Sequence, residues 1–197
     1  MSISAYPKVW NFGVVRDVTP WDGKPCLIQE KVDGSQISFG RFDDGLYVRS
    51  KGQSLVEADA VVNGPGMFRG AVDSIVERYR SLPLNVTLRG EYLSKPKHNT
   101  LRYDRIPEGG IVLFDAALPG ELDGSGAWHL DGTGFEQVPT LAHVPITSPA
   151  DLLAYLDRES FLGGTKIEGV VIKRYDLFVP QFSTPLFLKY VSEAFKE

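Results

Sequence analysis

The chain has 197 residues, 43% of them hydrophobic and 23% charged, with a formal net charge of −4. That length can bury a sizeable core, the apolar runs are too short to cross a bilayer as helices, and the acidic balance argues against indiscriminate electrostatic binding to nucleic acid while leaving room for a local basic groove. A single cysteine, Cys26, excludes an internal disulfide, and MSISAYPKVWNFG lacks the basic start and apolar stretch of a secretory signal, so a cytoplasmic protein with no membrane partner is expected.

Alternating or β-branched runs predict strands over 27–32, 36–42, 46–50, 86–93, 111–116, 167–173 and 186–191. Asp44-Gly45 has the form of a hairpin turn between two of them. Phe68, Ala71, Val72, Ile75, Val76 and Tyr79 follow helical spacing, with Pro83 just beyond. Ser148 followed by Pro149 predicts an N-cap and a first-turn proline, opening a second helix that runs to about residue 158. The glycine-rich segment 118–134 is expected to be a surface excursion. Together these elements predict one α+β domain over 1–197, built on antiparallel sheet with two packed helices.

Three charges interrupt the first strong strand: Glu30, Lys31 and Asp33, in EKVDGS. Side chains two apart on a strand share a face, so Lys31 with Asp33, Arg49 with Lys51, and Arg89 with Glu91 each put charge where a buried face should be apolar. One such pair is ordinarily the wet side of a sheet; three in one chain suggest a polar cleft.

EKVDGS (30–35) resembles motif I of the covalent nucleotidyltransferases, the superfamily of ATP-dependent ligases and mRNA capping enzymes. In family order, VRSKGQ (48–53) resembles the segment after motif I, LRGEYL (88–93) motif III, IVLFDAA (111–117) motif IIIa, IEGVVIK (167–173) motif IV and LFLKYV (186–191) motif V. KPKHNTLRYDRIPEGGIVLFD is similar to RNA ligases of the phage ligase-two type. The resemblance implies an α+β nucleotidyltransferase domain, the ATP-grasp-like adenylation fold, and an ATP-dependent RNA ligase that works through a lysyl-AMP.

Carried onto this sequence, the resemblance makes Lys31 the nucleophile toward the α-phosphorus of ATP, with Asp33 orienting it and Gly34 shaping the turn. Glu30 belongs to the nucleotide-binding set by the same match. Glu91 would accept hydrogen bonds from ribose hydroxyls, and Arg49 would contact phosphate or ribose. Phe114 would stack on adenine, against the commoner fate of a phenylalanine in such a run, which is core packing. Glu168 would touch Mg2+ or Mn2+, with Asp115 a second metal-linked carboxylate. Lys173 and Lys189 would neutralise the triphosphate and its leaving pyrophosphate. Strict alternation puts Glu168 and Lys173 on opposite faces, so either a bulge intervenes or one of them lies outside the site.

The motif V match departs from the Lys-x-Lys often found in related RNA ligases, because Lys189 is followed by Tyr190 and Val191. The family's OB-fold or C-terminal helical domain is not expected within these residues, which leaves a minimal ligase or a domain of a longer protein. The implied partners are RNA ends, in a nicked duplex or at a single-strand break, acting on a monomer; DNA ends, or a nucleotide-binding module without ligation, are the alternatives. Lys95, Lys97, His98, Asn99, Arg102 and Arg105 offer a phosphate-contact surface, or simply a solvated loop.

Overall fold

A computed structural model describes residues 3–14, 20–118 and 130–192. In chain order the elements are β1 (Val9–Asn11), β2 (Pro25–Lys31), β3 (Ser35–Phe42), β4 (Gly45–Ser50), β5 (Ser54–Glu57), β6 (Ala60–Val61), α1 (Arg69–Glu77), β7 (Thr87–Tyr92), β8 (Ile111–Ala117), β9 (Glu136–Gln137), β10 (Thr140–Pro145), α2 (Ala150–Leu156), β11 (Gly169–Val179) and β12 (Thr184–Val191). They form two compact units, one from the described residues of 1–6, 34–100 and 105–137, the other from those of 7–33, 101–104 and 138–197. No helix among the described residues is long and apolar enough to cross a membrane.

The first unit holds a seven-stranded sheet in the order β6-β5-β4-β3-β7-β8-β9. Its pairings are antiparallel except for β8 with β9, which run parallel. Ile37, Phe39, Val48, Leu88 and Leu113 point from the strands into one core, against Ala71 and Ile75 of α1. Ala71 and Ile75 are four apart and fall on one helix face, whereas Val76, expected on that face, is 55% exposed. The β3–β4 turn is centred on Asp43 and Asp44, and Gly45 opens β4 opposite Phe42. Position 45 requires glycine, because its φ of 128° and the closeness of Asp59, 2.6 Å from where a Cβ would stand, leave no room for a side chain.

The second unit holds a five-stranded sheet in the order β1-β12-β11-β2-β10, with β1 and β12 parallel and the other pairs antiparallel. Cross-strand partners share a face. Ile28 faces Ile172, which faces Leu188, and with Cys26, Val170, Leu186 and Leu152 of α2 they form an apolar core. Each such fully buried side chain contributes about 1.5–3 kcal/mol. Leu27, Gln29 and Lys31 of β2, Lys173 of β11, and Phe187 and Lys189 of β12 therefore share the opposite face.

Two local expectations change, and a third lies mostly beyond what the structure describes. Ser148 does not cap α2 with its side chain; instead the Asp151 carboxylate accepts the backbone N–H groups of Thr147 (2.7 Å) and Ser148 (3.0 Å). Those bonds hold Asp151 below the usual carboxylate range. β11 runs to Val179, beyond the predicted end at 173, with a register shift between Arg174 and Phe178. Arg174 carries it onward: the buried guanidinium bridges Asp22 (2.7 and 2.8 Å) and Asp176 (2.8 and 3.0 Å). Most of the 118–134 excursion lies outside the described residues; at its end Leu130 is buried and its carbonyl accepts the Thr133 hydroxyl at 2.8 Å.

Candidate active site

Lys31 is the last residue of β2, paired with Gly169, the first residue of β11. Its Nζ lies 2.5 Å from Oε2 of Glu168, and the two side chains are 22% and 16% exposed. The conflict between Glu168 and Lys173 resolves here. Glu168 sits in a bend just before β11, outside the pleat, so strand parity does not fix its direction. Lys173, inside the strand, shares the Lys31 face, as does Lys189. Lys173 is 2% exposed, with Nζ 5.8 Å from the centre of the Phe187 ring.

Glu30 points the other way. Its buried carboxylate accepts the Ser160 hydroxyl at 2.5 Å and the Phe161 N–H at 3.2 Å, on the face opposite Lys31. Burial pushes its pKa above the ordinary carboxylate value, against the pull of those two donors. Asp33 ties the end of β2 to 101–103: its carboxylate accepts the Leu101 N–H at 2.7 Å, and its own N–H donates to the Tyr103 hydroxyl at 2.8 Å. Burial, with the carboxylates of Asp33, Glu168 and Glu30 nearby, raises the Tyr103 phenol well above its usual range and keeps it protonated.

The first unit carries the remaining residues. Gly34 does not adopt the positive φ expected of a turn glycine. What requires glycine is closeness: a Cβ there would stand 2.9 Å from the Tyr92 carbonyl oxygen and 3.2 Å from the Glu91 side chain. Asn99 donates to the Gly34 carbonyl at 2.9 Å, and His98 bonds Ser35 through Nε2 at 2.9 Å. Arg49 donates to the carbonyls of Ile3 (2.9 Å) and Ser50 (3.3 Å). Of the basic loop residues, Arg105 is engaged bidentately with Glu136, both bonds at 2.8 Å.

A register shift between Arg89 and Gly90 makes Phe114 the extra residue of β8, so that Arg89 pairs with Asp115. The half-exposed Phe114 ring meets Tyr6 edge-on at 5.1 Å. Asp115 is buried and accepts the Tyr6 hydroxyl (2.9 Å) and the Ala116 N–H (2.9 Å). Arg89, buried to 2% exposure and held to a pKa of about 10 by that burial, donates to the Ser4 carbonyl and the Ser38 hydroxyl.

Among the described residues, no three of His, Cys, Asp or Glu gather closely enough to enclose a metal ion. Magnesium needs less than that when phosphates and water complete its shell, and a single accessible carboxylate such as Glu168 suits it. Asp115, turned onto Tyr6 and Ala116, suits it less. Sequence reasoning passed over Gln29, which is 7% exposed on the Lys31 face and whose Oε1 receives no hydrogen bond among the described residues. A buried acceptor left in that state is suited to a donor from a ligand. Its spacing of two from Lys31 was the available signal; Tyr103 and Ser160, which reach β2 from distant segments, gave none.

The sequence profile of the RNA ligase family matches residues 24–191, most of the chain. The chain belongs to the RNA ligase family. Solved structures with the same fold include forms of a Naegleria gruberi RNA ligase: a variant with AMP and Mn (TM-score 0.67, 20% identity), a variant with ATP and Mn (0.66, 22%) and an apo variant (0.65, 21%). In each, 98% of this chain is covered but only 57% of the other, so this RNA ligase family member spans little more than half of that protein's length. No curated protein sequence matches the chain.

Proposed function

We propose that this chain is the nucleotidyltransferase part of an ATP-dependent RNA ligase, with a finer likeness to the phage ligase-two type. The observation that carries the reading is the Lys31 amine beside Glu168, on a sheet face shared with Lys173 and Lys189, in a member of the RNA ligase family. Lys31 Nζ attacks the α-phosphorus of ATP, forming a phosphoramidate as the bond to pyrophosphate breaks. The AMP then passes to a 5′-phosphate end, and a 3′-hydroxyl displaces it to form the phosphodiester.

Attack uses the amine's lone pair, so a proton leaves Lys31 Nζ first; the neutral amine can still donate an N–H to Glu168 while its lone pair faces the α-phosphorus. A Mg2+ or Mn2+ ion held at Glu168 would supply charge neutralisation to the phosphates and compete for that carboxylate. Lys173 and Lys189 hold positive charge on the face where pyrophosphate develops its own. Val191 stands where relatives often carry a second motif V lysine, in the same cross-strand row as Gly169 and Lys31, so one cation is missing from that row. The Gln29 carboxamide offers a buried acceptor to the bound nucleotide. For Arg49, Glu91 and Phe114 we keep the ribose, phosphate and adenine roles that the resemblance implies. By the same likeness, the proposed partners are RNA ends met by a monomer in the cytoplasm.

The test is intact mass after incubation with ATP and Mg2+, for wild type and Lys31→Ala. An AMP adduct on wild type that is missing from the variant is expected. Binding of ATP without an adduct, on protein first freed of AMP, overturns the proposal and favours a nucleotide-binding module, the reading to which Val191 lends weight. Nicked duplexes with RNA or DNA on the 3′-hydroxyl side then distinguish RNA from DNA ligation, with RNA expected.

A further inference from the structure

Glu30 and Lys31 are consecutive on β2 and point to opposite faces, yet one loop grips both. The segment 157–168 joins α2 to β11. At its near end Ser160 donates its hydroxyl to Glu30 Oε1 at 2.5 Å, and the next amide, of Phe161, reaches Oε2 at 3.2 Å. At its far end Glu168 holds Lys31 at 2.5 Å.

Ser160 is also the knot of the loop itself. Its N–H donates to the Thr165 carbonyl (2.9 Å), its carbonyl accepts Gly163 N–H (2.9 Å), and its Oγ accepts Leu162 N–H (3.2 Å). Gly163 and Gly164 take φ of 75° and 77° to close the turn, with Asp104 packed where their Cβ atoms would be. The Ile167 N–H donates to the Arg158 carbonyl at 3.0 Å, and the Ile167 side chain is buried, so little slack separates the knot from Glu168.

A buried carboxylate on a strand is costly, and an apolar residue at 30 would serve the sheet as well. What Glu30 supplies is an acceptor that fixes where the loop sits along β2. We propose that Ser160 is a positioning residue for nucleotidyl transfer: its bond to Glu30 registers the 157–168 loop on β2, so that Glu168 is delivered to the Lys31 amine on the other face. This rests on the ligase reading given above. It extends that reading from the residues that touch ATP to a buried pair that does not.

Two measurements on the whole chain test it, using Ser160→Ala and Glu30→Gln, the second of which keeps an acceptor oxygen for the Ser160 hydroxyl and gives up only the longer bond from the Phe161 N–H. In hydrogen exchange, peptides covering 160–168 should exchange faster in Ser160→Ala than in wild type and stay close to wild type in Glu30→Gln. Unchanged exchange in Ser160→Ala overturns the proposal whether or not the protein transfers AMP. In single-turnover AMP transfer to Lys31, followed by mass against ATP concentration, Ser160→Ala should lose about 10- to 100-fold in maximal rate through misplacement. Its half-saturating ATP should stay within about twofold, and Glu30→Gln should keep most of the rate.

A maximal rate equal to wild type in Ser160→Ala, or a loss confined to half-saturating ATP, overturns the positioning role while leaving the ligase reading intact. A wild type that forms no adduct overturns the ligase reading, and with it the catalytic half of this proposal. Should Ser160→Ala fail to fold, Glu30→Gln decides: a rate lowered as far as that of Glu30→Ala overturns the proposal.

Discussion

Gly169 is the position at which the geometry makes its sharpest demand. It opens β11, pairs with Lys31 on one side and Val191 on the other, and follows Glu168 directly. A Cβ built there would stand 2.3 Å from the Tyr190 carbonyl oxygen, 2.8 Å from Val191 Cα and 3.1 Å from the Tyr190 carbonyl carbon, where ordinary contact begins at 3.4 Å. All three atoms are backbone, so no rotamer change relieves the overlap, and β12 has to retreat by about 1 Å against its own ladder. Overpacking of that kind costs about 1–3 kcal/mol. On the proposed mechanism, the same displacement at the root of the Lys31–Glu168 pair should lower the rate of AMP transfer by up to about 10²-fold. Gly169→Ala should therefore show both losses, in urea unfolding and in single-turnover adduct formation. Gly52→Ala is the control, because nothing lies within 4 Å of its Cβ and its φ is not in the left-handed region. A Gly169→Ala protein within about 0.5 kcal/mol of wild type and within about threefold in rate would refute the close-packing account, since either quantity lies well outside the range expected for a 1 Å shift.

Two further predictions concern pH. The Arg174 guanidinium holds Asp176 at a pKa of about 2 and Asp22 well below the usual carboxylate range, so the stability they confer is present above their ordinary value of 3.8 and lost as pH falls toward 2. Arg174→Met should be less stable than wild type at pH 7, with a gap in urea midpoint that narrows steadily between pH 4 and 2; a gap independent of pH would contradict the assignment. Glu30 shifts the opposite way, raised by burial from 4.5, so the unfolded chain releases its proton first and wild type loses stability as pH climbs from 4.5 through the folded value. Glu30→Gln lacks that proton and should gain on wild type over the same climb, and parallel urea midpoints across it would count against a buried, proton-holding Glu30.

The sequence exposed the elements whose patterns are local and hid those that depend on distant partners. β2, β3, β4, β7, β8 and β12 lie within a few residues of their predicted bounds because each buries a regular apolar face. β1 and β9 have three and two residues and exist only by parallel pairing to β12 and β8, so no pattern of their own could announce them. The far half of β11 was masked by Arg174, Tyr175 and Asp176, whose polarity reads as a loop until Asp22 is known to be in reach. Motif order exposed Lys31 and Glu168 as candidates, and the structure places them in contact. Glu30 was grouped with the nucleotide contacts by the motif I match, yet one step along a strand turns a side chain through the sheet, and here that step leads to Ser160. Gly34 was given a conformational reason where the actual one is the closeness of Tyr92.

The three lysines and the glutamate differ in how they are held. Lys31, Lys173 and Lys189 rise from adjacent strands whose registers pair Lys31 with Gly169, Lys173 with both Leu27 and Phe187, and Val171 with Lys189, so their roots cannot shift without breaking ladder bonds. Glu168 belongs to a bend, and its backbone is fastened on one side by the Ser192 N–H at 3.0 Å and on the other by the loop that Ser160 ties to Glu30. On the proposed mechanism, a nucleophile and the cations that receive its leaving group gain from rigid placement, because the reacting atoms must hold a near-attack geometry. Glu168 has to keep its place beside the amine on the same reading, and a bend outside the pleat needs ties of its own to do so. The Ser192 bond and the Ser160–Glu30 tie supply for Glu168 what the ladder supplies for the three lysines, so that on the proposed mechanism all four groups keep their places as the phosphates react.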